Sequence, residues 1–523
     1  MIHRCIFAAG ALWILGASLR AQVHYANPVL AGDYPDPSII RVGSEYWATA
    51  TSSEWAPHFP ILHSIDLVNW QITGHVFEHA PAWASGSFWA PEIAESGGKY
   101  FIYYVARQTT NSRLAVAVAT ADHPAGPYTD HGILVAQEAG SIDPVPFTDG
   151  HGVRWLLWKE DGNSRKQPTP IWLQRLRRDG LALEGERQEI LRNDSRWEGA
   201  VVEGPFVLRH GEYYYLFYSG GACCGQKSNY ALGVARAKDM TGPWEKAPAN
   251  PILAGNAAWR SPGHGSIVVG PDGRYRLLYH AYDSQSFVFT GRELMLDEVV
   301  FDALGWPGIN GGQGPSLTAT SPFGAEQRRA ELSFTDDFGK TTPDRGWQWP
   351  QDNLPLIRRA EGQLILGAAP SQSDAWAAAV YARSTTGGDY VSTTCIALDQ
   401  LKSGMFAGFA AYGDAANAIG LSIGDGKAIL WNRHQGRVKS TEAATVNRDK
   451  AIHLRMEVMG GSRFVFSLSD DGKVWKPVGD PVFADNLAPW DRSVRVALVC
   501  GGVKHAEARF TSFDLRSIRP ATR

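Results

Sequence analysis

The sequence contains two copies of one pattern, Ala115-Val-Ala-Val-Ala-Thr-Ala121 and Ala231-Leu-Gly-Val-Ala-Arg-Ala237, the first leading to Gly126-Pro127-Tyr128 and the second to Gly242-Pro243-Trp244. The copies lie 116 residues apart, with one further strand-rich unit between them. Each unit is therefore about 58 residues long, and the stretch 23–321 holds about five of them. A fixed period of this length indicates a repeat architecture.

A second repeated pattern also indicates five units. Five short aromatic runs each follow a turn that contains glycine: Glu45-Tyr-Trp-Ala-Thr49, Lys99-Tyr-Phe-Ile-Tyr-Tyr104, Arg154-Trp-Leu-Leu-Trp158, Glu212-Tyr-Tyr-Tyr-Leu-Phe-Tyr218 and Arg274-Tyr-Arg-Leu-Leu-Tyr279. No long segment has the 3.6-residue period of a helix. Four-stranded units that repeat radially close into a propeller with few exposed edges. The sequence therefore predicts an all-β fold that begins with a five-bladed β-propeller.

A second all-β domain follows. Composition changes near residues 321–333, where a polar run ends the propeller. Alternating strands then recur to about Leu515, for example Gln363-Leu-Ile-Leu366 and Phe464-Val-Phe-Ser-Leu468. Such spacing is typical of a β-sandwich. We expect a propeller over 22–321, a linker over 322–333 and a β-sandwich over 334–519.

The N-terminus predicts export. His3 and Arg4 precede a mostly apolar run from Cys5 to Leu19, which is too short to span a membrane and resembles a secretory signal peptide over 1–21, cleaved after Ala21. No later stretch is long and apolar enough for a transmembrane helix, so we expect a soluble protein that is secreted or periplasmic and has no membrane partner. A net charge of −3 argues against a nucleic-acid partner.

Four cysteines remain after cleavage. Adjacent Cys223 and Cys224 could form a vicinal disulfide that stiffens their loop. Cys395 and Cys500 are either paired across the sandwich or buried thiols, and the sequence does not separate the two. No CxxC or Cys/His spacing predicts zinc.

Three acidic residues stand in Pro-flanked turns at the start of different predicted blades: Asp36, Asp143 and Glu203. The inner ends of blades converge on the propeller axis, so these carboxylates could meet in one funnel. Glycoside hydrolysis needs one protonated carboxylic acid for the leaving oxygen and one carboxylate to activate water. A third carboxylate can raise the pKa of the acid and orient it. Any one of the three by itself is more often an ordinary turn residue.

Short motifs surround these acids: Asn27-Pro28-Val29-Leu30, Pro35-Asp36-Pro37-Ser38, His63-Ser64-Ile65-Asp66-Leu67-Val68-Asn69-Trp70, Phe88-Trp89-Ala90-Pro91-Glu92, Ser141-Ile142-Asp143-Pro144, Trp158-Lys159, Glu203-Gly204-Pro205, Gly263-His264-Gly265, Gly291-Arg292 and Gly305-Trp306-Pro307. With them the chain resembles glycoside hydrolase family 43 over roughly residues 25–320. More loosely, the second domain resembles the concanavalin-like β-sandwich of the β-xylosidase type, in its opening Phe334-Thr335-Asp336-Asp337-Phe338, its central Gly408-Phe409-Ala410-Ala411-Tyr412 and its closing Phe510-Thr511-Ser512-Phe513-Asp514.

The resemblance implies an inverting mechanism and a role for each acid. Asp36 is then the general base, Glu203 the general acid, and Asp143 the carboxylate that tunes and orients Glu203. Trp89 would be an apolar platform for the sugar, with a core tryptophan as the alternative. Arg292 would bind sugar hydroxyls, with a surface ion pair as the alternative.

Two further residues are open to more than one interpretation. The resemblance implies that His264 faces a central water or a structural Ca²⁺ ion on the propeller axis; a core histidine is the alternative. Glu92 is interpreted as a structural group or a neighbour of the site rather than a further catalytic acid. No cofactor is expected to be required.

These expectations lead to one main hypothesis, an exported exo-acting pentosidase that removes terminal α-L-arabinofuranose or β-D-xylose from plant hemicellulose or arabinan. The Gly220-Gly221-Ala222-Cys223-Cys224-Gly225 loop resembles arabinan-cleaving members and favours arabinofuranose. The alternatives are an endo-acting arabinanase of the same family and a non-catalytic glycan-binding propeller. A fructan-acting enzyme of the invertase type is disfavoured, since its Asn-Asp-Pro-Asn and Glu-Cys motifs are absent. The resemblance implies that the sandwich packs on the propeller and can help to close the pocket, which favours cutting one sugar from a chain end. A carbohydrate-binding module and a purely stabilising partner are the alternatives for this domain.

Overall fold

The computed structural model describes residues 22–286, 289–328, 333–448 and 450–518. The predicted signal peptide lies outside these residues. In chain order the first region contains β1 (His24–Ala26), β2 (Ser38–Val42), β3 (Glu45–Thr49), β4 (Trp55–Ala56), β5 (His58–Ser64), β6 (Gln71–Phe77), β7 (Trp89–Ser96), β8 (Lys99–Arg107), β9 (Leu114–Ala121), β10 (Thr129–Val135), β11 (Ser141–Thr148), β12 (Arg154–Glu160), β13 (Ile171–Leu176), β14 (Leu183–Leu191), β15 (Val202–His210), β16 (Tyr213–Gly220), β17 (Ala231–Ala237), β18 (Glu245–Lys246), β19 (Trp259–Val269), β20 (Tyr275–Asp283), β21 (Glu293–Phe301), β22 (Pro307–Ile309) and β23 (Thr318–Thr320).

These strands form a five-bladed propeller, which confirms the predicted fold. Each blade is a four-stranded antiparallel sheet: β2-β3-β5-β6, β7-β8-β9-β10, β11-β12-β13-β14, β15-β16-β17-β18 and β19-β20-β21-β22. The five aromatic runs supply the second strand of every blade. The two Ala-rich copies are β9 and β17, the third strands of blades 2 and 4. The strands β1 and β23 pair with each other and join the two ends of the propeller.

The aromatic runs lack a polar face because both faces of a blade are buried. On β8, Phe101 and Tyr103 pack in the cluster shared with blade 3, whereas Ile102 and Tyr104 pack in the cluster shared with blade 1. Successive side chains of a strand point to opposite faces, so alternate residues serve alternate neighbours. Equivalent clusters fill the other three blade interfaces.

The second region is the predicted β-sandwich. It contains β24 (Ser333–Asp336), β25 (Trp347–Pro350), β26 (Leu356–Ala360), β27 (Gln363–Gly367), β28 (Ala379–Ser384), β29 (Tyr390–Ile396), β30 (Met405–Asp414), β31 (Asn417–Gly424), β32 (Lys427–His434), β33 (Arg437–Thr445), β34 (Ile452–Met459), β35 (Arg463–Ser469), β36 (Lys476–Pro477), β37 (Val482–Phe483), β38 (Arg495–Gly502) and β39 (Glu507–Ser517). One sheet has the central order β26-β27-β39-β29-β34-β35-β36, and the other has the order β33-β32-β31-β30-β38-β28-β25-β4.

The second sheet includes a strand from the propeller. β4 leaves blade 1 and pairs with β25, with Trp349 opposite Ala56 and Pro350 opposite Trp55. The Trp55 side chain is buried in a cluster with Tyr412 and Val380 of the sandwich. The two domains therefore share one continuous sheet, which the domain boundaries proposed from the sequence did not anticipate.

Helical structure is confined to short 3₁₀ turns among the described residues: Gly162–Arg165, Arg196–Glu198, Asn310–Gly312, Pro322–Gly324 and Leu398–Gln400. No helix in these parts of the chain is long and apolar enough to cross a membrane. Cys223 is bonded to Cys224, whereas Cys395 and Cys500 are separate buried thiols. The disulfide considered for Cys395 and Cys500 is therefore not formed.

Candidate active site

A pocket of about 430 Å³ lies where the inner strands of the blades converge. All six residues proposed from the sequence line it: Asp36, Trp89, Asp143, Glu203, His264 and Arg292. Glu92 does not line the pocket. It lies on β7, and burial raises the pKa of its carboxyl to about 8 against a hydrogen bond with Ser38 that lowers it. No step of the chemistry considered below uses it.

The same backbone conformation occurs near the entry of the inner strand in every blade and directs side chains into the pocket. A residue at the entry to each inner strand has positive φ: Asp36 (52°), Ala90 (43°), Asp143 (56°), Gly204 (57°) and His264 (40°). In blades 2 to 5 the strand pairing shifts register at this point. Such bulges re-aim side chains, and a non-glycine residue in this conformation costs about 1–2 kcal/mol. At the pocket this conformation turns Asp36, Asp143 and His264 toward the axis.

Asp36 is held by hydrogen bonds on both carboxylate oxygens. Thr51 Oγ1 donates to Oδ2 at 2.7 Å and Arg292 Nη1 donates to Oδ1 at 3.0 Å. The Asp36 backbone N–H donates to His280 Nδ1 at 3.0 Å, which places that ring beside the carboxylate. Thr51 Oγ1 also accepts from the Ala90 N–H at 2.7 Å, so the entries of blades 1 and 2 are tied together.

The charges around Asp36 keep it ionised. Burial raises the pKa of its carboxyl, but the charge of Arg292, assisted by His264, His280 and the Thr51 hydrogen bond, outweighs burial and lowers the pKa to about 2. At neutral pH, Asp36 is therefore a carboxylate able to accept a proton.

Glu203 has a hydrogen-bond donor on each of its carboxyl oxygens. Lys159 Nζ donates to its Oε2 at 2.7 Å and the Tyr230 hydroxyl donates to its Oε1 at 2.9 Å. Lys159 is fully buried and also contacts Asp161 Oδ1 at 2.9 Å. Burial lowers the pKa of the Lys159 ammonium, but the Glu203 and Asp161 side chains beside it raise that pKa above its usual value, so the lysine stays charged.

Asp143 sits directly beside the Glu203 segment. Its Oδ2 accepts a hydrogen bond from the Gly204 N–H at 2.8 Å. Burial, aided by the charge of Glu203, raises the pKa of Asp143 to about 6, against the opposing charges of His264 and Lys159. The pocket thus contains one carboxyl held ionised, that of Asp36, and two further carboxyls, those of Asp143 and Glu203, that interact with each other.

The last two residues predicted from the sequence, His264 and Trp89, line the same pocket. His264 Nδ1 is 3.5 Å from Asp36 Oδ1, and its backbone N–H donates to Ser219 Oγ at 2.8 Å. Gly204 packs on this ring: a Cβ there would lie 2.9 Å from His264 Cγ, so only glycine fits. Trp89 is half-buried and contributes a wall of the pocket.

A Ca²⁺ ion prefers six to eight oxygen ligands. His264 presents nitrogen, and the described ranges contain no group of three or more His, Cys, Asp or Glu side chains placed to hold a metal. These side chains do not form a Ca²⁺ site by themselves. The axial Ca²⁺ stays a prediction, as does the expectation that no cofactor is required, and no step below is routed through a metal.

The pocket is completed by the second domain. Trp490 lines it, with its ring centroid 5.7 Å from that of Trp89 in an edge-to-face arrangement. The backbone carbonyl of Asp491 accepts from Arg292 Nη2 at 3.0 Å. On the propeller side, Cys223 and Cys224 form a further part of the wall.

The sequence profile of the glycosyl hydrolases family 43 matches residues 25–307, more than half of the chain. The chain belongs to glycosyl hydrolase family 43. The profile of the β-xylosidase C-terminal concanavalin A-like domain matches residues 335–490. The resemblance found in the sequence is therefore confirmed for both domains, and the chain is a glycosidase.

Three similar proteins illustrate the relationship. Xylosidase/arabinosidase 43B of Humicola insolens is 27% identical over an alignment of 516 positions that covers 91% of this chain and 91% of its own. The extracellular exo-α-(1→5)-L-arabinofuranosidase ArbA of Cellvibrio japonicus is 30% identical over 53% of this chain and 86% of its own. The crystal structure of the family 43 protein BlXynB from Bacillus licheniformis superposes with a TM-score of 0.79 at 25% identity, over 94% of this chain and all of its own.

Several residues of this family 43 site were not assigned a role from the sequence. Lys159 belongs to the Trp158-Lys159 motif without an assigned role, and Thr51, Tyr230 and His280 lie in runs typical of ordinary strand or turn sequence. Trp490 and Asp491 belong to the other domain, about 200 residues after Arg292 in the chain. The Pro that follows Asp36, Ala90, Asp143 and Gly204 is a usable signal, since it comes directly after the residue of positive φ in four of the five blades.

Proposed function

We propose that this family 43 glycosidase is a secreted, inverting exo-enzyme that removes terminal α-L-arabinofuranose or β-D-xylose from plant hemicellulose or arabinan. The proposal depends chiefly on one observation, the presence in a single pocket of an ionised Asp36 together with the interacting Asp143–Glu203 pair. An inverting glycosidase needs a base on one side of the sugar and an acid on the other.

In this mechanism Asp36 accepts a proton from the water that attacks the anomeric carbon, while Glu203 donates a proton to the departing glycosidic oxygen. Asp143 acts through the Gly204 N–H and through its charge, holding the Glu203 segment in position. Lys159 and Tyr230 fix the two oxygens of Glu203. Arg292 keeps Asp36 ionised and stands at the sugar pocket, where Trp89 would face the apolar side of the ring.

Exo action is supported by the contribution of the sandwich. Trp490 and Asp491 close one side of the pocket, and a blocked side favours a chain end over the middle of a chain. The Humicola and Cellvibrio relatives are named for xylose and arabinose removal, and the latter also for an extracellular location. The N-terminal signal predicted from the sequence agrees with secretion.

The first test measures pentose release from nitrophenyl α-L-arabinofuranoside and nitrophenyl β-D-xyloside. Turnover of either is expected, with the preferred sugar given by the larger kcat/KM, and it should vanish in Asp36→Ala. Asp122→Ala, at an exposed ion pair with Lys99, is the matched control and should keep full activity. If the protein hydrolyses neither glycoside and neither arabinan nor xylan, the non-catalytic glycan-binding alternative is favoured. Internal cleavage of arabinan would favour the endo-arabinanase.

Two further measurements address the roles. Glu203→Gln should lose turnover of substrates with poor leaving groups and spare activated aryl glycosides more, because only the former need the proton. NMR of the freshly released sugar should show the inverted anomer. Equal losses on both substrate classes, or the retained anomer, would contradict the assignment.

A further inference from the structure

The mouth of the pocket is basic, in contrast to its interior. Its exposed part lies over blades 2 and 3, where three loops meet: the β8–β9 loop with Arg113, the β10–β11 loop with Glu138, and the 3₁₀ turn with Arg165. Arg107 adds a third guanidinium at the edge. Of the acidic residues that line this side of the pocket, Glu138 has a 72% exposed side chain, whereas that of Asp161 is 15% exposed and is paired with buried Lys159.

Glu138 is shared between two arginines and holds neither tightly. Its Oε1 lies 3.5 Å from Arg113 Nη2 and 3.5 Å from Arg165 Nη1. A charge-assisted hydrogen bond is shorter, about 2.7–2.9 Å. Arg165 Nη2 is fixed instead by the Glu138 backbone carbonyl, at 2.7 Å. The side chains of Arg113 and Arg165 stay 45% and 43% exposed, so a ligand in the mouth can reach both.

Arg107 is arranged differently from the other two. Its Nη1 donates to the Ser112 carbonyl at 2.7 Å and its Nη2 donates to Ser87 Oγ at 3.1 Å. Its charge also acts on Glu54, whose carboxyl accepts from the Ser87 N–H. Arg107 therefore supports the β8–β9 loop, and the positive charge left for a ligand belongs to Arg113 and Arg165.

The position of these arginines relates them to the substrate. The wall formed by Trp490 and the Cys223–Cys224 disulfide lies with blade 4 and the sandwich, whereas the exposed side over blades 2 and 3 is where the rest of the glycan can extend. A neutral glycan has no charge to balance two guanidiniums that share one carboxylate. A planar guanidinium fork fits a carboxylate in bidentate fashion.

We infer that Arg113 and Arg165 form a binding site for the carboxylate of a uronic acid in the leaving part of the substrate, so that the enzyme prefers pentoses attached to acidic glycans. This inference rests on the proposed pentosidase function. The interaction is exposed and therefore screened by salt. It adds a preference among substrates and does not alter the bond that is cleaved.

The test compares xylotriose that carries a glucuronic acid on its second residue with the same compound after reduction of the carboxyl to an alcohol. Calorimetry with Asp36→Ala measures binding without turnover, and the active protein gives kcat/KM for both forms. The acidic form should be preferred by about fivefold or more at low salt, and the preference should shrink toward unity above about 0.3 M NaCl.

Variants separate this site from the rest of the pocket. Arg113→Gln with Arg165→Gln should abolish the preference for the acidic form, and Glu138→Gln should increase it by about two- to fivefold because the competing carboxylate is gone. Arg358→Gln, at an exposed arginine on β26 of the sandwich, is the control and should keep the wild-type ratio.

The outcomes are distinguishable. An equal response to both forms, or a preference that survives in the double arginine variant, overturns the inference and leaves the pentosidase function standing. Failure to bind either form, in a protein that cleaves nitrophenyl pentosides, overturns it as well. A protein that cleaves no pentoside at all refutes the proposed function itself.

Discussion

The guanidinium of Arg292 joins the two domains at the reacting centre: Nη1 donates to Asp36 Oδ1 in the propeller, and Nη2 donates to the backbone carbonyl of Asp491 in the sandwich, both at 3.0 Å. Behind it, buried Asp33 accepts from the Arg292 N–H and from the Ser493 N–H of the sandwich. The position of the cation that controls Asp36 is therefore set from both domains.

Arg292→Met tests this control of the base. Without the cation, burial dominates and the pKa of Asp36 rises from about 2. The acid limb of the kcat/KM profile should move up by about one pH unit or more, because protonated Asp36 cannot activate water. The profile is measured on the preferred nitrophenyl glycoside. Arg274→Met, at an exposed arginine of the same blade, should leave the limb in place, and an unmoved limb in Arg292→Met would contradict the role.

Asp143→Asn should raise the stability of the folded protein and lower its catalytic activity. The folded state raises the pKa of Asp143 from 3.8 to about 6, so ionisation of this buried group above pH 6 costs stability, about 3 kcal/mol from that shift. The amide removes this cost and can still accept from the Gly204 N–H. Thermal unfolding should show a higher Tm than wild type at about pH 7.5 and no difference near pH 4. A gain of equal size at both pH values would point to a cause other than ionisation.

Lys159→Met should have the opposite effect on stability. It leaves Glu203 and Asp161 without their shared cation in a buried site, which is expected to cost about 3–5 kcal/mol in urea unfolding. Lys99→Met breaks an ion pair of the same 2.7 Å length to Asp122, but on the surface, and should cost less than about 1 kcal/mol. Similar costs for the two variants would show that burial does not determine the contribution of Lys159.

Trp490→Ala should lower kcat/KM by changing the wall of the pocket, with little effect on the stability of the fold. The side chain is 60% exposed, so its removal leaves no cavity in the core and Tm should change by no more than about two degrees. Loss of its contact with Trp89 should lower kcat/KM on xylo- or arabino-oligosaccharides by about tenfold. Phe483→Ala, at a 72% exposed residue elsewhere in the sandwich, is the control. An unchanged kcat/KM would remove Trp490 from the substrate-binding wall.

The architecture was predictable because its signals are local and repeated. The run Lys99-Tyr-Phe-Ile-Tyr-Tyr104 must be buried on both faces, and five such runs at regular spacing leave few folds other than a propeller. The three carboxylates were predictable as a group because each stands at, or one residue before, the positive-φ position at the entry of its blade. The roles of the individual acids came from the family resemblance and stay predictions.

What could not be predicted depends on contacts between distant parts of the chain. Nothing near Trp490 or Asp491 marks them as part of a pocket, since their partners Trp89 and Arg292 lie in the other domain. The same holds for Trp55, whose two-residue strand has no periodicity to detect. These features arise from how the two domains dock, and a single sequence carries no local signal of docking.

The strand β4 also has a consequence for the order in which the molecule forms. The propeller emerges from the ribosome first, and N-terminal domains generally fold as they are synthesised. Blade 1 then presents Trp55–Ala56 as an edge before β25 has been made. The sandwich, which is synthesised later, can complete its second sheet by pairing β25 with this edge. The propeller then acts as a template for the sandwich.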